Sequence, residues 1–208
     1  SMIIIPEMFN KTQITIDKIV RLIISSMIKR RIVGQKFGVV VVGEGIFHFL
    51  QDEDIASSGI TFDYDAHGHP ELSEAHVISK ILKNRLKELN LDIICRPVEV
   101  GYSLRCVDPS AFDLTYCTTL GIGVKKLYDE GHSGCMVAVN LEEEVIPVYL
   151  KDVEDEHGKI RTRLVNIDKE VVRQTLAENI YYLTAQDRSL ARKWLADPEP
   201  FEYERILG

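Results

Sequence analysis

The sequence predicts an α/β fold in which a mainly parallel sheet carries helices on both faces. Short apolar runs alternate with longer stretches in which apolar residues recur every three or four positions. This alternation of strand and helix patterns is typical of parallel sheets built through right-handed crossovers. One run, Phe37 to Val42, contains four consecutive valines, as expected for a central strand that is covered on both faces.

The first strand and the first helix follow from local signals. Ile3 to Ile5 is predicted to be a buried strand, and Thr15 is predicted to cap the helix that follows it. Apolar residues then recur with helical spacing up to Ile28, and Gly34 is predicted to end the helix. The basic run Lys29 to Arg31 lies at the negative end of the helix dipole, so we expect it to be a solvated cap.

A polar insertion at about 51–70 separates the valine-rich strand from a second amphipathic helix. This helix is predicted from Glu71 to Asn90, with Ser73 as its cap. Its basic residues are predicted to form the solvated face of a crossover helix; they are Lys80, Lys83, Arg85 and Lys87. A further strand is predicted at Leu91 to Cys95.

The loop after this third strand is the strongest candidate for a binding site. Gly101 to Pro109 is predicted to lie at the carboxyl end of a strand, where ligands bind in open α/β sheets. The loop carries the phenol Tyr102 and the planar cation Arg105, and Arg96 lies just upstream. These groups suit a phosphorylated, hydroxyl-rich small molecule.

The rest of the chain is predicted to form a helix, a strand and a different C-terminal part. Ser110 and Asp113 indicate a helix start, and Cys135 to Val139 indicates a strand. Short strands or a hairpin are predicted between 142 and 165, followed by two helices. The tail from Asp197 to Gly208 holds two prolines, which favours a loosely ordered segment. We therefore expect two regions: an α/β region at 1–140, and a region at 141–208 whose hairpin and helices pack on it.

Composition excludes several classes of function. The formal net charge is -7, whereas nucleic-acid and anionic-membrane binding need basic surfaces. The four cysteines are too far apart for a metal knuckle, so we expect no metal ligand and a reduced, cytoplasmic protein. No apolar run approaches the roughly 20 residues of a membrane helix. The apolar strand Ile3 to Ile5 begins at the third residue of the sequence. We therefore expect the chain to start inside a longer protein.

Several motifs together resemble a known family. Ile5-Pro6-Glu7 is followed by Gly-Val-Val-Val-Val-Gly-Glu-Gly at 38–45 and by Gly-Tyr-Ser-Leu-Arg-Cys-Val-Asp-Pro-Ser-Ala-Phe-Asp-Leu-Thr-Tyr at 101–116. Leu-Gly-Ile-Gly at 120–123 and Gly-His-Ser-Gly-Cys-Met-Val-Ala-Val at 131–139 continue the series. These motifs, which span most of the chain, resemble the C-terminal portion of the 6-phosphofructokinases. Cys106-Val107, where the short ATP-dependent enzymes have Gly-Gly, is similar to the long pyrophosphate-dependent branch.

The resemblance implies roles for four residues. Glu7 resembles the carboxylate that accepts hydrogen bonds from the hydroxyl groups of fructose 6-phosphate. Arg105 matches the arginine that binds its phosphate, and Tyr102 stands where the short enzymes have a histidine near that phosphate. Arg96 matches an arginine that reaches the substrate site of a neighbouring subunit in the ATP-dependent branch. The family therefore implies a dimer or tetramer of identical subunits.

The resemblance also implies a reaction of glycolysis, the Mg²⁺-dependent phosphorylation of fructose 6-phosphate to fructose 1,6-bisphosphate with pyrophosphate as donor. The family's donor loop and its catalytic aspartate belong to upstream motifs that these 208 residues lack. We therefore expect no catalytic residue and no Mg²⁺ ligand here, a need for the remainder of the chain, and no activity of this portion alone. An ATP-dependent 6-phosphofructokinase and a non-catalytic sugar-phosphate-binding regulatory subunit remain alternatives.

Overall fold

A computed structural model describes most of the chain as two compact units. The described residues are 2–9, 12–43, 46–57, 63–64, 70–71, 74–140, 142–154, 164–179 and 182–208. The first unit comprises Ser1–Glu99 with Val165–Gly208, and the second comprises Val100–Leu164. The sequence-based division into an α/β region at 1–140 and a region at 141–208 was a division by expected role in an enzyme, and it stays a prediction. Ser73 and the predicted turn at 155–158 lie outside the described residues.

The first unit is built around one long helix. Its strands are β1 (Met2–Ile4), β2 (Val40–Val42), β3 (Asp63–Tyr64) and β4 (Pro70–Glu71). Its helices are α1 (Ile16–Ile32), α2 (Asp52–Ser57), α3 (Glu74–Glu88), α7 (Glu170–Asn179), α8 (Arg188–Ala191) and α9 (Tyr203–Leu207), with 3₁₀ turns at Pro6–Phe9, Ile46–Phe49, Ala185–Asp187 and Glu199–Phe201. Helix α1 packs against α3, α8 and α9, so it forms the centre of the apolar core.

The predicted ends of α1 are confirmed. The Thr15 side chain accepts a hydrogen bond from the Lys18 backbone N–H at 3.2 Å, which satisfies one of the unpaired donors at a helix start. Gly34 follows the last turn with a φ of 83°, a left-handed conformation that glycine adopts without strain. The basic run between these ends does more than cap the helix, because Lys29 binds Asp187 and Arg31 donates to the backbone carbonyl of Asp92.

The C-terminal tail is ordered, contrary to the sequence-based expectation. Its prolines form part of a 3₁₀ turn that leads into α9: Pro198 caps the turn Glu199–Phe201, and Pro200 is its middle residue. Phe201 and Ile206 are buried in the core. A carboxylate of Glu202 binds the Arg188 guanidinium through both of its oxygens. Apolar burial and this bidentate pair therefore hold a segment whose composition suggested loose order.

The second unit is a helix packed on a hairpin. Its helices are α4 (Tyr102–Arg105), α5 (Ala111–Asp129) and α6 (Leu150–Val153), and its strands are β5 (Cys135–Val139) and β6 (Val145–Tyr149). Strands β5 and β6 are antiparallel, with Cys135 opposite Tyr149. Gly123 of α5 lies so close to the hairpin that an added Cβ would meet Val137 at 2.7 Å and Val145 at 2.8 Å.

The α/β class is confirmed, but a mainly parallel sheet is not. Among the described residues, β1 and β2 pair in parallel, whereas β3 with β4 and β5 with β6 pair in antiparallel fashion. The short connection between β5 and β6 allows only an antiparallel partner. The predicted strand at Leu91 to Cys95 pairs with no described strand and has no regular secondary structure. No described helix is long and apolar enough to cross a membrane.

Candidate functional site

The predicted binding loop contains a short helix with Arg105 at its end. The chain bends at Gly101 and then forms α4 from Tyr102 to Arg105. Arg105 is exposed, so a ligand can reach its guanidinium. The backbone of Tyr102 opens this turn, and its side chain lies outside the described part of the structure.

A complete capping box sets the position of the loop relative to α5. The Ser110 hydroxyl and backbone N–H donate to Asp113 Oδ2 at 2.6 and 2.8 Å, and Asp113 N donates to Ser110 Oγ at 3.3 Å. This is the predicted helix start. The hydrogen bonds from the Ser110 side chain and backbone hold the pKa of Asp113 below its ordinary value. Asp113 is therefore a structural carboxylate that begins α5 directly after the loop.

Glu7 lies where the sequence predicted, directly after the first strand. It sits in the 3₁₀ turn Pro6–Phe9 and is half-buried. Its Oε1 accepts a hydrogen bond from the backbone N–H of Val165 at 2.8 Å. The carboxylate thus joins the N-terminal turn to the segment that precedes α7, and one of its oxygens has a partner within the protein.

The four candidate residues fall into two pairs. Glu7 and Arg96 belong to the first unit, in which Arg96 is exposed on the irregular segment after α3. Tyr102 and Arg105 belong to the second unit and are the first and last residues of one helical turn. Tyr102 and Arg105 therefore lie one helical turn apart in the second unit. Glu7 and Arg96 both lie in the first unit.

Sequence reasoning missed the partner of Glu7. Val165 contributes only its backbone N–H, and the two residues are 158 positions apart. A backbone donor carries no residue preference, and a contact at that separation leaves no periodic pattern. No signal in one sequence could have found this pair.

The comparisons with known proteins bear on the same motifs. A pyrophosphate–fructose 6-phosphate 1-phosphotransferase of Naegleria fowleri is 31% identical over 179 residues, which cover 80% of this chain and 41% of that protein. The enzyme of the same name from Thermotoga maritima is 29% identical over 204 residues, covering 94% of this chain and 46% of that protein. The resemblance to pyrophosphate-dependent phosphofructokinases is confirmed. No established family profile matches the chain.

The similarity to these phosphofructokinases extends over most of this chain but over less than half of each relative. The names of these enzymes describe what the complete relatives do. Because this chain matches less than half of each relative, their activity is not assigned to it here.

Proposed function

We propose that this chain is the fructose 6-phosphate-binding part of a pyrophosphate-dependent phosphofructokinase. The single observation that carries the proposal is the similarity to two enzymes of that name over 80% and 94% of the chain. The reaction is phosphorylation of fructose 6-phosphate to fructose 1,6-bisphosphate, and the names of the relatives favour pyrophosphate over ATP as the donor.

Arg105 binds the phosphate group of fructose 6-phosphate. Its guanidinium is exposed at the end of a short helical turn, and a guanidinium offers two parallel donors to phosphate oxygens. Tyr102 lies at the start of the same turn and contributes a second contact near the phosphate. Glu7 accepts a hydrogen bond from a sugar hydroxyl. Its carboxylate has acceptor sites left for this bond, because the contact with Val165 uses one site on Oε1. Arg96 reaches the acceptor site of a neighbouring subunit in a dimer or tetramer.

Catalysis requires polypeptide equivalent to the part of the relatives that this chain does not match. Phosphoryl transfer needs both substrates positioned and the developing charge neutralised. Helix α5 has large apolar side chains left exposed in this chain, among them Phe112, Ile122 and Tyr128 at 72%, 67% and 79%; such side chains are available for contact with a further segment. We propose that this chain alone has no phosphotransferase activity.

The family resemblance implies that the reaction needs Mg²⁺, which neutralises phosphate charge during transfer. Among the described residues, no three His, Cys, Asp or Glu side chains lie together as a metal site would require. We assign no residue of this chain to the metal.

Titration calorimetry on the 208-residue chain tests the acceptor role. Fructose 6-phosphate should bind saturably, and Arg105→Ala should weaken it by about 10-fold to 100-fold, since a hydrogen bond to a charged group contributes about 1.5–3 kcal/mol. Arg173→Ala, which removes another exposed arginine, is the matched control and should bind as the wild type does. An absence of binding, or equal affinity in the Arg105 variant, would contradict the proposal.

A further inference from the structure

A groove of about 590 Å³ runs between α3 and the irregular segment that follows it. One wall is the face of α3 that carries Ser79, Lys80, Lys83 and Lys87, and the other wall is formed by Leu91, Asp92, Ile93 and Pro97. A volume of this size is typical of small-molecule sites. None of the four residues proposed for fructose 6-phosphate lines the groove.

The second wall of the groove is held in place by hydrogen bonds. Leu91 N donates to the carbonyl of Leu86 at 2.8 Å, and Arg31 Nη2 donates to the carbonyl of Asp92 at 3.0 Å. Farther along, His76 Nδ1 lies 3.5 Å from a carboxylate oxygen of Glu99. Because the segment is tied to α3 and α1 at these points, the groove is a feature of the fold.

The groove is positively charged within an acidic protein. Lys80, Lys83 and Lys87 line it, opposed by the single carboxylate of Asp92, although the whole chain has a formal net charge of -7. On a helix the three lysines share one face over about 10 Å. The sequence predicted that these lysines would be solvated, and they are exposed; the structure adds the opposite wall. Such a concentration of one sign attracts an anion.

Ser79 supplies an independent indication of a ligand. Its side chain lines the groove and is only 6% exposed, and its hydroxyl has no hydrogen-bond partner. Buried hydroxyl groups are nearly always paired, because leaving one unpaired costs stability. A serine within a helix can bond to the carbonyl four residues earlier, yet Ser79 does not. Its hydroxyl is therefore an unpaired donor in the wall of the groove.

We propose that this groove binds a small molecule with two phosphate groups. The lysines donate to the phosphate oxygens, and Ser79 donates a hydrogen bond deeper in the groove. Three cations spread along two helical turns match two phosphates better than one. The apolar side chains of Leu86, Leu91 and Ile93 leave room for an organic portion, so the two sources to distinguish are inorganic pyrophosphate and a nucleoside diphosphate. The inference does not depend on the proposed acceptor site.

Calorimetric titration of the 208-residue chain with pyrophosphate, ADP and inorganic phosphate tests this proposal. At least one of the first two should bind more tightly than inorganic phosphate does. The variant Lys80→Ala/Lys83→Ala should bind it at least about tenfold more weakly. The variant Lys36→Ala/Lys126→Ala removes the same charge from exposed positions that do not line the groove, and it should bind as the wild type does. Tighter ADP binding would identify a nucleotide, and tighter pyrophosphate binding would identify the inorganic anion.

Three results would overturn the proposal. These are no binding of pyrophosphate or ADP at millimolar concentration, equal losses in the two double variants, and binding of inorganic phosphate as tight as that of the diphosphates. Ser79→Ala provides a second test, because an unpartnered hydroxyl can be removed without loss of stability. The urea midpoint of this variant should be unchanged or higher, while its diphosphate affinity should fall about threefold. A lower midpoint, or unchanged affinity, would overturn the role of Ser79.

Discussion

The Lys29 ammonium group binds both carboxylate oxygens of Asp187, at 2.7 and 2.8 Å. The side chains are only 23% and 11% exposed, so this ion pair joins the last turn of α1 to the C-terminal segment in partly desolvated surroundings. Asp187 also accepts from the backbone N–H and hydroxyl of Thr184, each at 2.9 Å. One carboxylate therefore fixes both the start of a 3₁₀ turn and its position on the central helix.

Replacing Asp187 with alanine should lower the free energy of unfolding of the first unit by about 2–3 kcal/mol, because it leaves Lys29 and Thr184 without their acceptor. Urea unfolding followed by the fluorescence of Trp194, the only tryptophan of the chain, reports on this unit. Glu88→Gln, which alters the more exposed pair between Arg85 and Glu88, is the matched control and should change stability by less than about 1 kcal/mol. Equal effects of the two substitutions would contradict a special role for Asp187.

The same pair predicts a pH dependence. Partial burial acts to raise the pKa of Asp187, but hydrogen bonds from Lys29 and Thr184 outweigh it and hold the pKa below the ordinary value. A depressed folded-state pKa contributes stability that is present above the unfolded value, about 3.9, and is lost as the pH falls through the folded value. The difference in unfolding free energy between wild type and Asp187→Asn should therefore be largest near neutral pH and shrink below about pH 4. A difference that stays constant down to pH 2 would refute this linkage.

Two glycines of α5 should respond in opposite ways to the same substitution. Gly123→Ala should destabilise the second unit by about 1–3 kcal/mol, since the new methyl group would overlap Val137 and Val145. Gly121 has no atom within 4 Å of a built Cβ, so Gly121→Ala should stabilise the helix by up to about 1 kcal/mol. Hydrogen exchange of the amides at 135–149, measured by mass spectrometry, should become faster in the first variant only. Equal exchange in both variants would show that the hairpin does not pack on Gly123.

Variants of Glu7 should separate its structural contact from its proposed role in binding. Glu7→Gln keeps a carbonyl oxygen for the Val165 N–H, so its stability should stay within about 0.5 kcal/mol of the wild type, whereas Glu7→Ala should lose about 1 kcal/mol. Both variants should bind fructose 6-phosphate more weakly, by about threefold to tenfold for Glu7→Gln, because a neutral acceptor replaces a charged one. Wild-type affinity in Glu7→Gln would leave Glu7 with only its structural contact.

Local signals in the sequence predicted local structure well. Thr15 and Ser110 cap α1 and α5, as expected from residues whose side chains satisfy backbone donors two or three positions away. Gly34 ends α1 for an equally local reason, its positive φ. The motif around Tyr102 and Arg105 also indicated a resemblance to the phosphofructokinases, and the similarity to two phosphotransferases confirmed that resemblance.

Strand pairing was harder to predict, because an apolar run does not specify its neighbour. The run at Leu91 to Cys95 has strand composition, but in this structure it lies along α3 without a ladder. Cys135–Val139 formed the predicted strand and paired with the strand that follows it after a short turn. The two prolines after Asp197 suggested a loosely ordered tail. The tail is ordered because Phe201 and Ile206 are buried in the core.

By itself the sequence determined the α/β class, the two ends of α1, the start of α5 and the motifs that resemble the phosphofructokinases. These depend on interactions between residues a few positions apart, or on residue types in a continuous stretch. Only the tertiary structure decided that Glu7 binds Val165, that Lys29 binds Asp187, and that the lysines of α3 face a second wall containing Asp92. Such contacts arise when the folded backbone brings distant segments together, and the side chains involved carry no local mark of their partners.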